Sequence, residues 1–283
     1  MKILLKRILI VFAIILLTLA LAVAYSYFIE PNRLVVQEED LEIPNWNAKL
    51  DGFKVVAISD IHGGANYITA EKIREIVRLT NAQNPDLIVL LGDYVSQKKG
   101  TRTELKMPIE TIAENLQGFT AKYGVYAIIG NHDWWYDEKK VRFEMERIGI
   151  KVLENEVAPI QVGDETVWLW GIEDYWKNRR VPTDALEKIP GKENIIAITH
   201  NPDSLLKTPP KISLMIAGHS HGGQVKIPFY GAIPFVNDPR FMAEKAVVDG
   251  KHVYVTTGVG CSGPQLRFGV PPEIAVLNLF TEN

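Results

Sequence analysis

The chain divides into two parts with different patterns of hydrophobic and polar residues. Residues 8–29 form an apolar run without a charged side chain, and Lys2, Lys6 and Arg7 precede it. As a helix, such a run is about long enough to cross the ~30 Å hydrocarbon core of a bilayer. A buried core helix is the alternative, and the absence of any polar face disfavours it. We therefore predict a transmembrane helix over residues 1–29.

The charges on either side of this helix predict its orientation. Cations precede it, whereas Glu30 and the acidic residues 38–40 follow it. The positive-inside rule then places the amino terminus in the cytoplasm and the globular part outside, in a periplasmic or extracellular space. The alternative is a cleaved signal peptide, since Ala22-Val23-Ala24 has the small residues of a cleavage site. The first interpretation predicts a single-pass protein of the cell membrane, and the second a secreted protein.

The rest of the chain alternates between short apolar runs and segments of helical periodicity. We expect residues 30–50 to be a connector and residues 51–283 to form one domain. Helices are predicted over residues 69–82, with Thr69 as the cap, and over residues 105–116, 138–148 and 183–188. Strands are predicted over residues 53–59, 86–91, 124–129, 151–153, 159–162, 167–170, 194–199, 212–217, 243–248, 252–257 and 274–279.

The order of these elements predicts the fold class. Strands and helices alternate in the first half, which is typical of a parallel sheet covered on both faces. The second half is richer in strands and turns, which predicts a second sheet packed on the first. We therefore expect an α/β domain of two mixed sheets with helices outside.

Composition excludes several classes of function. The chain has 283 residues and a formal net charge of −3, which does not fit a nucleic-acid-binding groove. Its single cysteine, Cys261, excludes an intramolecular disulfide and a cysteine-rich zinc site.

Potential metal ligands follow five of the predicted strands. The carboxyl ends of strands in an open α/β sheet meet at one crevice, so these side chains should converge. They are Asp60 and His62, then Asp93, then Asn131, His132 and Asp133, then His200, and finally His219 and His221.

This set has the chemistry of a metal centre. It contains five of the six histidines of the chain, and only His252 lies elsewhere. Nitrogen and oxygen donors without a thiolate favour Mn, Fe, Zn, Co or Ni over Ca or Mg. The donors outnumber the ligands of one tetrahedral site, which predicts two divalent ions bridged by a carboxylate. Such a pair lowers the pKa of a water between the ions, and the resulting hydroxide can attack phosphorus.

The order of these motifs resembles that of the calcineurin-like metallophosphoesterase superfamily over residues 54–279. The motifs are Asp60-x-His62, Gly92-Asp93, Gly130-Asn131-His132-Asp133, His200 and Gly218-His219-Ser220-His221. Residues 219–224 and 267–274 are similar to the membrane-anchored bacterial branch of YaeI/YkuE-like phosphodiesterases. UDP-2,3-diacylglucosamine pyrophosphatases are a more distant resemblance. The resemblance implies a four-layer α/β/β/α sandwich.

The resemblance also implies a role for each motif residue. The first ion would be held by Asp60, His62, Asp93 and His221. The second ion would be held by Asp93, Asn131, His200 and His219, with Asp93 as the bridge giving one oxygen to each ion. His132 would face the phosphate, and Asp133 would orient its ring. Residues 92–96 lack the second aspartate that many family members have there, which leaves the metal preference open.

Three further features admit two interpretations each. Trp134 and Trp135 could grip an acyl chain or a base beside the site, or could pack under the following helix. Arg267 could bind a second phosphate, or could lie on the surface. Residues 226–235 are apolar and contain prolines, and they could form a rim that touches lipid or could cover the core.

Together these features predict a metal-dependent phosphoester hydrolase. We expect a phosphodiesterase or pyrophosphatase acting on a cell-envelope lipid or a nucleotide-linked phosphoester, with no nucleic-acid or protein partner implied. The alternatives are a phosphomonoesterase acting on phosphoproteins or small molecules, and a metal-binding scaffold without turnover.

Overall fold

Two six-stranded sheets form the centre of the domain in a computed structural model that describes residues 2–191, 193–232, 236, 238–242 and 244–282. The α-helices are α1 (Lys2–Phe28), α2 (Ala70–Asn81), α3 (Ile109–Leu116) and α4 (Asn131–Arg147). The strands are β1 (Val35–Ile43), β2 (Phe53–Ile58), β3 (Leu87–Leu90), β4 (Val125–Ala127), β5 (Lys151–Val152), β6 (Glu156–Val162), β7 (Glu165–Ile172), β8 (Ile195–Thr199), β9 (Leu214–Ala217), β10 (Lys226–Ile227), β11 (Gly231–Ala232), β12 (Glu244–Val248), β13 (Lys251–Val255) and β14 (Glu273–Thr281).

Both sheets are mixed. The first has the order β1-β14-β2-β3-β4-β5, and the second has the order β12-β13-β9-β8-β7-β6. β2 to β5 run parallel in the first sheet, as do β13, β9, β8 and β7 in the second. The predicted fold class, two mixed sheets flanked by helices, is confirmed.

Apolar side chains fill the spaces between the layers. In β2, Val55 and Ala57 point into the core between the two sheets, whereas Val56 and Ile58 pack under α2 to α4. Both faces of this strand are therefore buried, which explains its uninterrupted apolar sequence.

The outer face of the second sheet is covered by short 3-10 helices rather than α-helices. Leu186, Leu205 and Phe241 come from the 3-10 helices Asp184–Lys188, Pro202–Lys207 and Pro239–Phe241 and pack on this face. Thr69 caps α2 as expected, because its hydroxyl accepts the N–H of Lys72.

The prediction that residues 30–50 are a connector was wrong in one respect, because these residues contain β1. This nine-residue strand pairs in parallel with the full length of β14 at the edge of the first sheet. Its polar sequence is typical of an edge strand, where charged side chains discourage pairing with other molecules. The extent of the globular domain therefore includes residues that the sequence pattern had excluded.

The amino-terminal helix α1 is 27 residues long, about 40 Å, and its side chains are exposed along nearly its full length. It is long and apolar enough to cross a membrane, and a signal sequence would have the same properties. The first residue of the predicted strand 243–248 and residues 233–235 of the apolar stretch lie outside the described residues.

Candidate metal centre and cleft

The seven predicted metal ligands lie together at the carboxyl ends of the parallel strands. The ligands of the first sheet follow β2, β3 and β4, and the ligands of the second sheet follow β8 and β9. They meet because the two sheets present the carboxyl ends of these strands at the same edge. All seven are buried, and they are Asp60, His62, Asp93, Asn131, His200, His219 and His221.

The first group of donor atoms comes from the loops after β2 and β9. The His221 Nε2 atom lies 3.2 Å from Asp60 Oδ1 and 3.3 Å from His62 Nε2. The His62 Nε2 atom is 3.9 Å from Asp60 Oδ1. Two ligands that each lie about 2.0–2.2 Å from one ion are themselves about 3–3.5 Å apart, so these atoms could hold one cation.

The second group surrounds His200. Its Nε2 atom lies 3.2 Å from Asp93 Oδ2, 3.1 Å from Asn131 Oδ1 and 3.1 Å from His219 Nδ1. The Nδ1 atom of His200 is 2.7 Å from the Leu91 carbonyl, which fixes the ring so that Nε2 points at the group.

Asp93 connects the two groups through one oxygen. Its Oδ2 atom is 3.2 Å from His200 Nε2 and 3.6 Å from His62 Nε2. Its Oδ1 atom accepts the backbone N–H of His132 at 2.8 Å. The expectation that Asp93 offers one oxygen to each ion therefore differs from the structure, in which Oδ2 faces both groups.

The electrostatics of the cluster favour a cation. Burial opposes ionisation of Asp60, but His221, His200 and His62 hold its pKa well below the usual range. Burial would lower the pKa of His200, yet the Asp93 charge raises it to about 10, so the carboxylates attract positive charge here. Burial lowers the pKa of His62 and His219 to about 3, leaving both rings neutral, as metal ligands must be.

One buried polar atom of the cluster, His219 Nε2, also lacks a hydrogen-bond partner among the described residues. An unpaired buried polar atom is destabilising unless something binds it. The residues present therefore fit a centre of divalent cations.

The backbone at these ligands is unusual. Asp60, His62, Asp93, His219 and His221 all have φ between 48° and 67°, the left-handed region that side chains other than glycine seldom adopt. Such strain concentrates at functional sites, where the surrounding structure enforces it.

A close contact between two glycines brings the loops after β3 and β4 together. A side chain on Gly130 would collide with the Asp93 backbone and carboxylate, and one on Gly92 would collide with Gly130. Only glycine at both positions allows the Asp93 and Asn131 loops to approach so closely.

His132 is held by Gln97 rather than by Asp133. The Gln97 amide donates from Nε2 to the His132 carbonyl at 2.7 Å, and its Oε1 lies 2.6 Å from His132 Nδ1. A carbonyl can only accept, which fixes the amide orientation and places a proton on Nδ1. The Nε2 atom of His132 faces the cleft and lies 3.5 Å from Ser262 Oγ.

Asp133 has a structural role, so the prediction that it orients His132 was wrong. At the third position of α4, its carboxylate accepts four backbone N–H groups, those of Asp93, Tyr94, Val95 and Gly130. It therefore joins the start of α4 to the loop that carries Asp93. The predicted helix 138–148 starts earlier for the same reason, at Asn131, with a kink at Asp137.

A cleft of about 200 Å³ lies beside these groups. Its lining includes Asp93, Asn131, His132, His219 and His221, and adds Trp135, Trp176, Gln224, Ser262 and Gly263. A larger groove of about 780 Å³ between the edge strands β1 and β12 shares no residue with it.

The two tryptophans next to His132 have different surroundings. The Trp135 ring contacts the His132 ring, with 4.9 Å between the ring centroids, and stacks on the Trp176 ring, with 6.2 Å between the centroids. Trp135 and Trp176 thus form an aromatic wall of the cleft. Trp134 instead packs on the core under the helices, and its Nε1 donates to Asp174. Of the pair predicted to contact substrate, only Trp135 lines the cleft.

Arg267 is fully buried and is not placed to bind a phosphate. Its guanidinium donates to the backbone carbonyls of five residues, which are Thr257, Gly258, Gly260, Val270 and Pro271. Its Nη2 is also 3.4 Å from His221 Nδ1. Neither sequence interpretation, phosphate binding or surface exposure, was right, because these carbonyls occupy its donors.

Sequence reasoning missed five residues around the cleft. Asp174 and Trp176 follow β7, which is parallel to β8, so the strand-end pattern that found the ligands applies to them too. Gln224 ends the stretch 219–224 that resembles the bacterial branch, but the resemblance implied no role for it. No sequence signal marks Gln97 or Ser262, which come from loops.

Comparison with known proteins agrees with the motifs. Residues 53–223, more than half of the chain, match the calcineurin-like phosphoesterase family. The chain is 28% identical over 265 residues to the uncharacterized metallophosphoesterase YkuE of Bacillus subtilis, covering 92% of this chain and 90% of that protein. It is 30% identical over 263 residues to phosphodiesterase YaeI of Escherichia coli, covering 90% and 92%. It is 30% identical over 251 residues to a Danio rerio transmembrane protein with a metallophosphoesterase domain, covering 83% of this chain and 55% of that protein.

These matches and the cluster of histidines and carboxylates agree with the predicted family, including the YaeI/YkuE-like branch, and with the predicted class of enzyme. The chain therefore belongs to the calcineurin-like phosphoesterase family and is a metal-dependent phosphoester hydrolase.

Proposed function

We propose that the chain is a two-metal phosphodiesterase or pyrophosphatase acting on a phosphoester of the cell envelope, either in a lipid or linked to a nucleotide. One ion would be held by Asp60, His62, Asp93 and His221, and the other by Asp93, Asn131, His200 and His219. The observation that supports this is the division of the donor atoms into two groups that meet at Asp93 Oδ2.

The chain's own residues would position the substrate beside these groups. Bound divalent cations would activate a water and neutralise charge on the phosphoryl group. His132 presents Nε2 to the cleft, while Gln97 holds its Nδ1–H. That nitrogen is therefore the atom that can exchange a proton with the leaving oxygen. Burial lowers the pKa of this half-buried ring, which makes the ring a stronger acid toward the leaving oxygen when Nε2 carries a proton.

The wall formed by Trp135 and Trp176 supports a diester substrate. It extends the cleft beyond the donor groups, to where the second ester substituent would lie. Apolar and aromatic surfaces of this kind bind acyl chains or bases rather than water. The similarity to a protein named a phosphodiesterase agrees with this assignment.

Attachment to a membrane by α1 supports an envelope substrate. The residues before α1 are cationic and those after it are acidic. We propose that the catalytic domain faces outside the cytoplasm, in accord with the positive-inside rule.

Hydrolysis of two chromogenic substrates tests the reaction. The full chain, purified in detergent and supplied with Mn, should hydrolyse bis-(p-nitrophenyl) phosphate faster than p-nitrophenyl phosphate. Asp93→Ala and Asn131→Ala should abolish this activity. His252→Ala is the matched control, because His252 is the one histidine of the chain outside the strand-end motifs, and it should retain full activity.

Each opposite result would overturn part of the proposal. Undiminished hydrolysis by Asp93→Ala would refute the proposed two-metal site. A faster rate on the monoester would indicate a phosphomonoesterase. Lipid phosphodiesters in mixed micelles, compared with soluble nucleotide-linked diesters, would then separate the two substrate classes.

A further inference from the structure

The end of α1 is docked on the catalytic domain. Ser26 is buried, and its carbonyl accepts the N–H of Arg267 at 2.9 Å. The buried Glu30 carboxylate accepts the N–H of Gly269 at 2.9 Å. Between these bonds, the ring of Tyr25 meets that of Phe268 edge to face at 6.3 Å. The helix end therefore has a fixed position relative to residues 267–269.

The other side of residues 267–269 supports a small hairpin formed by β10 and β11, residues 226–232. The Phe268 carbonyl accepts the N–H of Lys226 at 2.7 Å, and its N–H donates to the Gln224 carbonyl at 3.0 Å. The hairpin base and the helix end are thus joined through a single residue, Phe268.

The tip of this hairpin is apolar and exposed. Phe229 is fully exposed, Tyr230 is 77% exposed and Ile227 is 43% exposed. Outside α1 and the Ile29 that follows it, the other large exposed apolar side chains among the described residues are isolated from one another in the sequence. Three such side chains within four residues form a patch that water disfavours.

The distances match the dimensions of a membrane interface. From Lys226 at the base to Phe229 at the tip, the chain can extend at most about 10 Å. The polar layer on each side of a bilayer is about 5–8 Å thick. If α1 spans the bilayer, Tyr25 and Tyr27 lie at that layer, and Phe268 places the hairpin base at the same level.

We propose that the hairpin of residues 226–232 is a second membrane contact, which inserts Phe229 and Tyr230 into the head-group region of the bilayer that α1 crosses. Aromatic side chains favour this region, because their rings are apolar and a tyrosine hydroxyl stays hydrated. The exposed cations Lys226 and Arg33 flank the contact and complement anionic head groups. The docked helix alone would allow the domain to tilt together with α1 in the bilayer, whereas a second contact restrains this tilt.

This contact has a consequence that rests on the proposed function. Gln224 lies two residues before the hairpin and lines the cleft, and its amide Nε2 donates to the carbonyls of Ser262 and Pro264 on the cleft rim. A hairpin held at the lipid surface would therefore hold the cleft near the phosphoester of a membrane lipid.

Spin-label accessibility in vesicles tests the contact without relying on catalysis. The chain offers a clean background, because its single cysteine, Cys261, is buried. Full-length Phe229→Cys is labelled with a nitroxide and reconstituted in vesicles of phosphatidylcholine with a minority of phosphatidylglycerol. Phe143→Cys is the matched control, an aromatic residue 62% exposed on α4. The wild-type chain, treated with the same nitroxide reagent, measures the background labelling of Cys261.

The ratio of collisions with oxygen to collisions with a water-soluble nickel complex should be higher at residue 229 than at residue 143. Oxygen concentrates in lipid and the nickel complex in water, so a high ratio reports insertion. Equal ratios at the two positions would refute the contact. Low accessibility to both reagents at residue 229 would indicate a protein neighbour and would also refute it. Loss of hydrolysis with a high ratio would leave the contact standing and refute only the proposed function.

As a second measurement, the double variant Phe229→Ser, Tyr230→Ser should keep the wild-type melting temperature, because both side chains are exposed. In the same vesicles, a nitroxide at Tyr27→Cys should then show more motion in the double variant than in the wild-type background, since one of the two contacts is lost. Unchanged motion would count against the hairpin as a restraint.

Discussion

The substitution Asp133→Asn separates a structural role for Asp133 from a catalytic one. The Asp133 carboxylate accepts two N–H groups at each oxygen: those of Tyr94 and Val95 at Oδ1, and those of Asp93 and Gly130 at Oδ2. An asparagine keeps one oxygen and replaces the other by an NH₂ group. That group is itself a donor, so it would face two N–H groups with no acceptor between them.

The size of the effect follows from the buried donors left unpaired. Each unsatisfied buried donor costs about 1–3 kcal/mol, so two of them cost about 2–6 kcal/mol. We expect Asp133→Asn to lower the free energy of unfolding of the domain by this amount. Activity should fall as well, because the loop that carries Asp93 loses its support.

Urea unfolding followed by tryptophan fluorescence, with the full chain in detergent, measures this effect. Asp174→Asn is a suitable control, because Asp174 is also a buried carboxylate but accepts fewer N–H groups, those of the Trp134 side chain and the Trp176 backbone. The oxygen kept in that variant can still accept the bond from Trp134, so a loss below about 1 kcal/mol is expected. A wild-type unfolding midpoint for Asp133→Asn, together with lost activity, would refute the structural role and restore the predicted one of orienting His132.

Three further predictions concern the surroundings of the cleft. Gln97→Leu should reduce kcat about 10- to 100-fold with little change in KM, since His132 loses the group that orients it, and steady-state kinetics on a diester would show this. Arg267→Lys should destabilise the domain by about 2 kcal/mol or more, because buried carbonyls lose their donors. A raised KM at wild-type stability would instead indicate phosphate binding. Mn at about 100 times its Kd should stabilise the chain by about 2.7 kcal/mol, and thermal melts with and without EDTA would detect it.

The sequence carried enough information to locate the metal ligands. Each ligand directly follows a strand that is apolar on both faces, and parallel strands of one sheet end at one edge. The sequence alone did not require that the two sheets present their carboxyl ends at the same edge. The contacts of Asp60 with His221 and of Asp93 with His200 show that they do.

Other features had no comparable signal. Gln97 lies four residues after Asp93 in an irregular loop, and glutamine occurs in loops for many reasons. The polar strand β1 lacked the alternation that would have marked it, since its stability comes from pairing with β14. The burial of Arg267 depends on carbonyls from residues 257–271, whose arrangement is a property of tertiary structure.

The two incorrectly predicted charged residues share one physical explanation, which lies in the backbone of the ligands. Five ligands hold left-handed φ values, and each such residue costs about 1–2 kcal/mol, or about 5–10 kcal/mol together. That sum is comparable to the whole stability of an ordinary domain, so other interactions must offset it. Asp133 supplies four acceptor contacts to the loop that carries Asp93, and Arg267 donates to Gly258 and Gly260, whose loop lies against Asp60. A charged residue next to a catalytic motif can therefore act by holding a strained ligand loop in place, without contacting the substrate.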